Sequence, residues 1–294
     1  MSITWKRDSG LTARMTLSFI ILGILYVVFL SILYYLGVGY IPLAFIAGGM
    51  IMAQWYFSDK IVLWTSGAKI VSKEEYPQLH NIVENLVNKN GIPKPKVAVV
   101  NSGVPNAFAT GKSPRSSLIA VTTGILGLLD DEELEAVIGH ELTHVRNRDV
   151  LVLTLASVFS TLAWYLAQFS FFGGLQSRNR DSGNATVIVI LVAIVTWVVS
   201  FLIIRAISRY REYSADRGGA IMTGRPDKLA DALMKISGKM NKIPANELQK
   251  VQKMNAFFII PALSGSSIAN LFSTHPPVEK RVQKLKEMMT GVDR

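Results

Sequence analysis

His140, Glu141 and His144 stand in the pattern H-E-x-x-H, the short spacing in this chain whose chemistry follows most directly from residue type. On an α-helix, positions four apart lie about 6 Å apart along the axis, so both imidazoles leave one face and can share a metal ion. Glu141 then falls beside the ion rather than on it. A carboxylate there can take a proton from water that the metal activates, which is the chemistry of metal-assisted hydrolysis. The chain holds four histidines in 294 residues, and random placement would give the pattern roughly 0.002 times per chain.

The motif needs a helix, and the flanking residues supply one. Asp130 suits the N-cap, Asp131, Glu132 and Glu133 put negative charge where the helix dipole favours it, and Asp130-x-x-Glu133 approximates a capping box. Leu134, Val137, Ile138, Leu142 and Val145 recur at helical spacing and give the helix an apolar side.

A catalytic zinc takes three protein ligands and keeps one position open. With no cysteine in the chain, the third ligand must be another histidine or a carboxylate. The segment Arg209-Tyr210-Arg211-Glu212-Tyr213-Ser214-Ala215-Asp216-Arg217 offers Glu212 and Asp216 on one helical face. One carboxylate can bind metal while the other orients a ligating imidazole through its second N–H. Spacing alone leaves open which does which, and a solvated helix pairing these acids with Arg209, Arg211 and Arg217 is the competing reading. His275, followed by Pro276-Pro277, is either a loop residue or faces the site and, with Arg281, stabilises an oxyanion. His80 falls in an amphipathic helix, where an exposed position is expected.

Half of the residues are hydrophobic and the mean hydropathy is +0.32, too apolar for an ordinary soluble domain. No charged residue occurs from Met15 to Ser58, and Gly37-Val38-Gly39 with Pro42 divides that run into Met15–Leu36 and Tyr40–Phe57. Val150–Phe172 and Ala185–Ile204 are two further uncharged runs. Each approaches the ~20 residues that cross a bilayer as a helix, so four transmembrane helices are expected. The first is too long for the apolar core of a signal peptide. Lys6, Arg7 and Arg14 precede the first run and Arg205, Arg209 and Arg211 follow the last, whereas the turn between the first two is uncharged. This places both termini and the middle segment in the cytoplasm, with Arg178 and Arg180 in the loop between the third and fourth runs dissenting. The net charge of +10 has no basic stripe with interleaved aromatics, so nucleic acid is not an expected partner.

Between the apolar runs, Glu74–Asn88 reads as an amphipathic helix stopped by Asn90-Gly91-Ile92-Pro93, while 96–100 and 117–121 read as strands. Asn106-Ala107-Phe108-Ala109-Thr110-Gly111 is either an ordinary hairpin or an edge strand able to hold a substrate backbone. Pro226–Ser237 and Pro277–Met289 read as helices, with apolar Phe257–Pro261 between them. Two crossings return the chain to the side it left, so residues after Ile204 can complete a site begun at His140. The expected fold is a mostly α membrane protein in which four transmembrane helices carry a cytoplasmic zincin-like α+β domain with a small sheet. Its segments are 1–57 (spans one and two), 58–149 (first part of the catalytic domain), 150–204 (spans three and four) and 205–294 (second part).

With Asn106–Gly111, the histidine motif continuing through Asn147-Arg148-Asp149, Glu212-x-x-Ala215-Asp216, and His275-Pro276-Pro277 with Arg281, the sequence resembles the HtpX-type integral-membrane zinc metalloproteases. These are relatives of the prenyl-protein CAAX endopeptidases. The resemblance implies one zinc on His140, His144 and Glu212, with Glu141 as general base and Asp216 behind the ligands. It also implies a substrate cleft lined by Asn106, Ala107 and Phe108, with His275 and Arg281 near the site. It implies quality-control cleavage of damaged membrane proteins at the bilayer surface. Prenyl-protein cleavage is the neighbouring activity, although those relatives have more spans than the four counted here. A membrane scaffold with structural zinc is the reading from another class; such sites usually close with four protein ligands.

Overall fold

In the computed structural model, residues 9–35, 56–152, 182–244 and 275–290 are described, with a few isolated positions elsewhere. More than half of the second apolar run and most of the third lie outside them, as does all of Phe257–Pro261. The chain divides into two compact units, one built mainly from Phe57–Val150 and Ser208–Arg294, the other from Ser9–Tyr56 and Leu151–Ile207.

The second unit contains α1 (Ser9–Tyr35) and the first part of a 42-residue helix, Ser182–Thr223. Leu22, Tyr26, Phe29 and Leu33 of α1 pack with Val189, Ala193 and Ile207, and Tyr26 Oη lies 2.9 Å from Ser200 Oγ. Most of the remaining surface of both helices is apolar and exposed, including Ile20, Ile24, Val27, Val187, Leu191 and Val195. Both are long and apolar enough to cross a membrane. Apolar stripes left outside the helix contact are what a hydrocarbon environment accepts and water does not. The sequence places a division at the first charge after Ile204, but the helix runs on without a break to Thr223.

The first unit opens with α2 (Ser58–Ser66), β1 (Lys69–Ile70), α3 (Pro77–Asn90) and β2 (Lys96–Val100). Next come β3 (Ala107–Thr110), β4 (Leu118–Thr122), the short α4 (Thr123–Leu126) and α5 (Asp131–Asn147), which carries the histidine motif. The long helix is α6, followed by α7 (Pro226–Met240) and α8 (Val278–Thr290). The strands form one sheet in the order β1-β2-β4-β3, with β2 and β4 parallel and the other pairs antiparallel. The segment 107–110 is therefore an edge strand rather than half of an isolated hairpin.

Period-two alternation divides the strand residues between two faces. Val97, Val99, Ile119 and Val121 join a core with Leu79 and Val83 of α3, Val137 and Ile138 of α5, Leu233 of α7 and Val282 of α8. Ala98, Val100, Leu118, Ala120 and Phe108 face the other way, against Val62 of α2. The end of α3 follows its sequence signal: Gly91 takes φ 65° and its N–H caps Val87 O. His80, expected to be exposed, is buried instead. Its Nε2 lies 3.1 Å from Val71 O and its Nδ1 3.4 Å from Lys94 Nζ, because the chain before α3 folds back over that face.

The capping box of α5 forms in full: Glu133 N–H donates to Asp130 Oδ1 at 2.9 Å and Asp130 N–H to Glu133 Oε2 at 3.0 Å. Lys235 of α7 also donates to Glu133, at 2.7 Å, fixing where α5 begins. Farther along, α5 meets α6 with almost nothing between their backbones. A Cβ at Gly219 would stand 2.7 Å from His140 N and 2.9 Å from His140 Cα, whereas one at Gly139 would meet the Thr223 methyl at 2.9 Å. Helix propensity alone makes Gly→Ala stabilising by about 0.5–1 kcal/mol. At Gly219 the backbone clash reverses that sign, with an overpacking cost of about 1–3 kcal/mol. Gly219→Ala is therefore expected to lower the unfolding midpoint more than Gly139→Ala, whose neighbour is a side chain that can give. Thermal unfolding of the two purified variants checks the ranking, and the reverse order would mean that this crossing does not limit helix approach.

Candidate metal centre

The capping box and the apolar stripe of α5 turn His140 and His144 toward α6. The two rings meet edge to face, with centroids 4.7 Å and Nε2 atoms 3.2 Å apart. From α6, Glu212 Oε2 lies 3.6 Å from His140 Nε2 and Glu212 Oε1 3.6 Å from His144 Nε2. These three residues offer one ligand atom each, all within 4.8 Å of one another, and could hold a metal ion.

The opposite ring nitrogens face carboxylates. Asp216, one turn beyond Glu212, places Oδ1 3.0 Å from His140 Nδ1. Arg281 of α8, wholly buried, donates from Nε to Asp216 Oδ2 at 2.8 Å and from Nη2 to Oδ1 at 2.6 Å. Its third nitrogen, Nη1, lies 3.8 Å from Glu212 Oε2. All three guanidinium nitrogens thus lie at carboxylates of α6. His275 Nδ1 is 3.0 Å from Glu212 Oε2, so that residue does reach the site.

Asp149 is the participant to which the sequence reading assigned no role. α5 ends at Asn147, and Arg148 takes φ 56°, the one non-glycine positive φ among the described residues. Its N–H turns back to His144 O and Val145 O. This left-handed turn brings Asp149 Oδ2 to 2.5 Å from His144 Nδ1 and 3.2 Å from Arg211 Nε. Asn147 Nδ2 also donates across to Ser214 Oγ at 3.3 Å.

The buried charge tests whether a cation fits. Glu141, Asp149, Glu212 and Asp216 are buried carboxylates, and the buried guanidiniums near them are Arg211 and Arg281. Ionised together, those four acids exceed the two guanidiniums by two charges, which the imidazoles or a divalent ion between them can offset. Where each Nδ1 carries the proton that faces its aspartate, both Nε2 lone pairs are free to bind a cation. Glu212 Oε2 accepts no well-aligned hydrogen bond among the described residues. Burial pushes the His140 imidazolium down, but the Asp216 and Glu212 carboxylates outweigh it and hold its pKa at about 9, showing how strongly the cluster draws positive charge. Two imidazoles and one carboxylate suit zinc.

Glu141 is buried too, and burial raises its carboxyl above the usual range against the opposing pull of His140 and His144. The Ala109 backbone N–H also bonds to it, so β3 lies beside this carboxylate. Ala107 pairs with Val121 and Phe108 with Ala120 in the sheet, and Asn106 N–H donates to Thr122 Oγ1 at 2.9 Å. All three residues are buried, and the Phe108 ring packs in the cluster around Val62. What this segment presents beside Glu141 is strand backbone, not an aromatic wall.

Residues 73–289 match the family described as peptidase family M48. Protease HtpX homolog 2 of Methanosarcina mazei is 52% identical over 289 residues, covering 98% of this chain and 98% of that protein. Protease HtpX homolog of Moorella thermoacetica is 51% identical over 284 residues, covering 96% and 95%. The fold is similar to that in the crystal structure of S. mikatae Ste24p, with a TM-score of 0.58 and 19% identity over 92% of this chain and 64% of that one. With the family matched from residue 73 to 289 and a relative more than half identical along 98% of its length, the chain belongs to peptidase family M48, as a zinc metalloprotease with helices long and apolar enough to cross a membrane.

Proposed function

We infer that His140, His144 and Glu212 hold one zinc ion and that Glu141 is the general base of an endopeptidase acting on protein chains at the membrane surface. The observation that carries this reading is the convergence of His140 Nε2, His144 Nε2 and the Glu212 carboxylate, with His140 Nδ1 turned to Asp216. Zinc held there would lower the pKa of water toward ~7 and polarise a carbonyl. Glu141 takes a proton as water adds to the scissile carbonyl, and returns it to the amine as the C–N bond breaks. Asp216 keeps the His140 ring in the orientation that points Nε2 inward, and Arg281 holds Asp216. His275 lies against the Glu212 carboxylate, with Nδ1 3.0 Å from Oε2. β3 receives the substrate as an added strand, so recognition runs through main-chain hydrogen bonds.

The membrane arrangement completes the reading: four spans, with both termini and the site on the cytoplasmic side. It is supported by Lys6, Arg7 and Arg14 before the first apolar run and Arg205, Arg209 and Arg211 after the last. The substrates are then proteins reaching that surface, damaged or misassembled membrane proteins above all.

Glu141→Gln is expected to retain zinc while cleavage of an unfolded protein in detergent falls by about 10²–10⁴-fold. A variant that cuts at the wild-type rate would remove Glu141 from the mechanism, and a wild-type protein that binds zinc but cleaves nothing would favour a scaffold. Glu212→Ala should lose nearly all zinc, whereas Asp216→Ala should weaken it by about 10–100-fold. Metal content after dialysis separates the two, and the opposite ranking would exchange their roles. Because the chain has no cysteine, single substitutions report topology cleanly. A membrane-impermeant maleimide added to intact cells should label Ser177→Cys and spare Thr290→Cys; the reverse pattern would invert the orientation.

A further inference from the structure

The site contains two similar chains of contact. One runs His140–Asp216–Arg281; the other runs His144–Asp149–Arg211. We propose that Asp149 is a positioning residue for metal binding: it orients His144 from the Nδ1 side, while Arg211 offsets its buried charge. This rests on the zinc reading above and adds to it the residue that aims the second imidazole.

Two costs argue that Asp149 is placed for His144 rather than for the fold. A left-handed conformation at a residue with a side chain costs about 1–2 kcal/mol, and Arg148 adopts it at φ 56° to bring Asp149 back to the helix end. Asp149 and Arg211 are also both buried, and a buried ion pair is seldom more stable than apolar residues of the same size. The strained turn and the buried charge converge on one contact, the 2.5 Å approach of Asp149 Oδ2 to His144 Nδ1. With Nδ1–H held there, the His144 lone pair is left on Nε2, beside His140 Nε2 and Glu212 Oε1.

Positioning and simple clasping differ in what restores metal binding. If Asp149 acts through His144, zinc affinity follows Asp149, whereas stability follows the balance of charge between Asp149 and Arg211. The full-length protein in detergent is titrated with zinc against a chromophoric chelator, and the unfolding midpoint is measured without metal. Asp149→Asn should weaken zinc by about 10–100-fold. Arg211→Gln should lower the metal-free midpoint while zinc affinity stays within a few-fold. The double variant Asp149→Asn/Arg211→Gln should recover the midpoint and remain weak for zinc, and it serves equally if Asp149→Asn alone fails to fold. Wild-type zinc affinity in the double variant would overturn the proposal and leave a structural clasp. Glu212→Ala in the same titration separates the failures, since unchanged affinity there would sink the zinc site itself.

Discussion

The constraint on which this structure depends is the backbone approach of α5 and α6 at Gly139 and Gly219. The contacts of His140 and His144 with Glu212 and Asp216 cross it. The two histidines come from the segment before the third apolar run and Glu212 from the far end of the helix that contains the fourth, so no local sequence brings them together. A single Cβ at Gly219 would press on His140 itself. Because protein interiors do not absorb displacement smoothly, a small separation there would carry Glu212 and Asp216 away from both imidazoles at once.

Around that crossing the site is an exercise in keeping negative charge buried. Carboxylates outnumber guanidiniums, and each arginine meets an aspartate that in turn faces an imidazole. The arginines reduce the desolvation cost without entering the ligand set, and the remaining deficit falls at the Nε2 atoms. Glu141 feels His140, His144 and Glu212, but burial prevails and raises its affinity for a proton, which suits the general-base role proposed for it.

What could be read beforehand was whatever local rules enforce. The histidine spacing, the Asp130–Glu133 box, the β-branched runs 96–100 and 117–121 and the stop at Gly91 each depend on a few neighbouring residues; the structure has helix and cap there, and strands at Lys96–Val100 and Leu118–Thr122. Glu212 and Asp216 could be placed on one helical face, but telling them apart required the distances to each ring nitrogen. Asp149 lay beyond such rules because its position depends on Arg148 adopting a conformation that sequence normally assigns to glycine or asparagine. His80 was misjudged for a related reason: its helix face is apolar, but the segment that covers it comes from outside the periodic window. The edge position of β3 followed from strand order, and the parallel pairing of β2 with β4 leaves no local mark.

The edge strand bears on which chains such a site can cut. The Phe108 ring is committed to the face that packs on Val62, and Ala107 and Ala109 bring little side-chain surface. In the proposed arrangement a substrate added beside β3 meets mainly amides and carbonyls, which every residue except proline can pair. Main-chain recognition requires the substrate to be extended over several residues, and a folded protein seldom offers that. Selection by foldedness rather than by side chain is what an enzyme directed at damaged membrane proteins needs, and in the proposed arrangement its geometry comes from four residues of strand beside one buried glutamate.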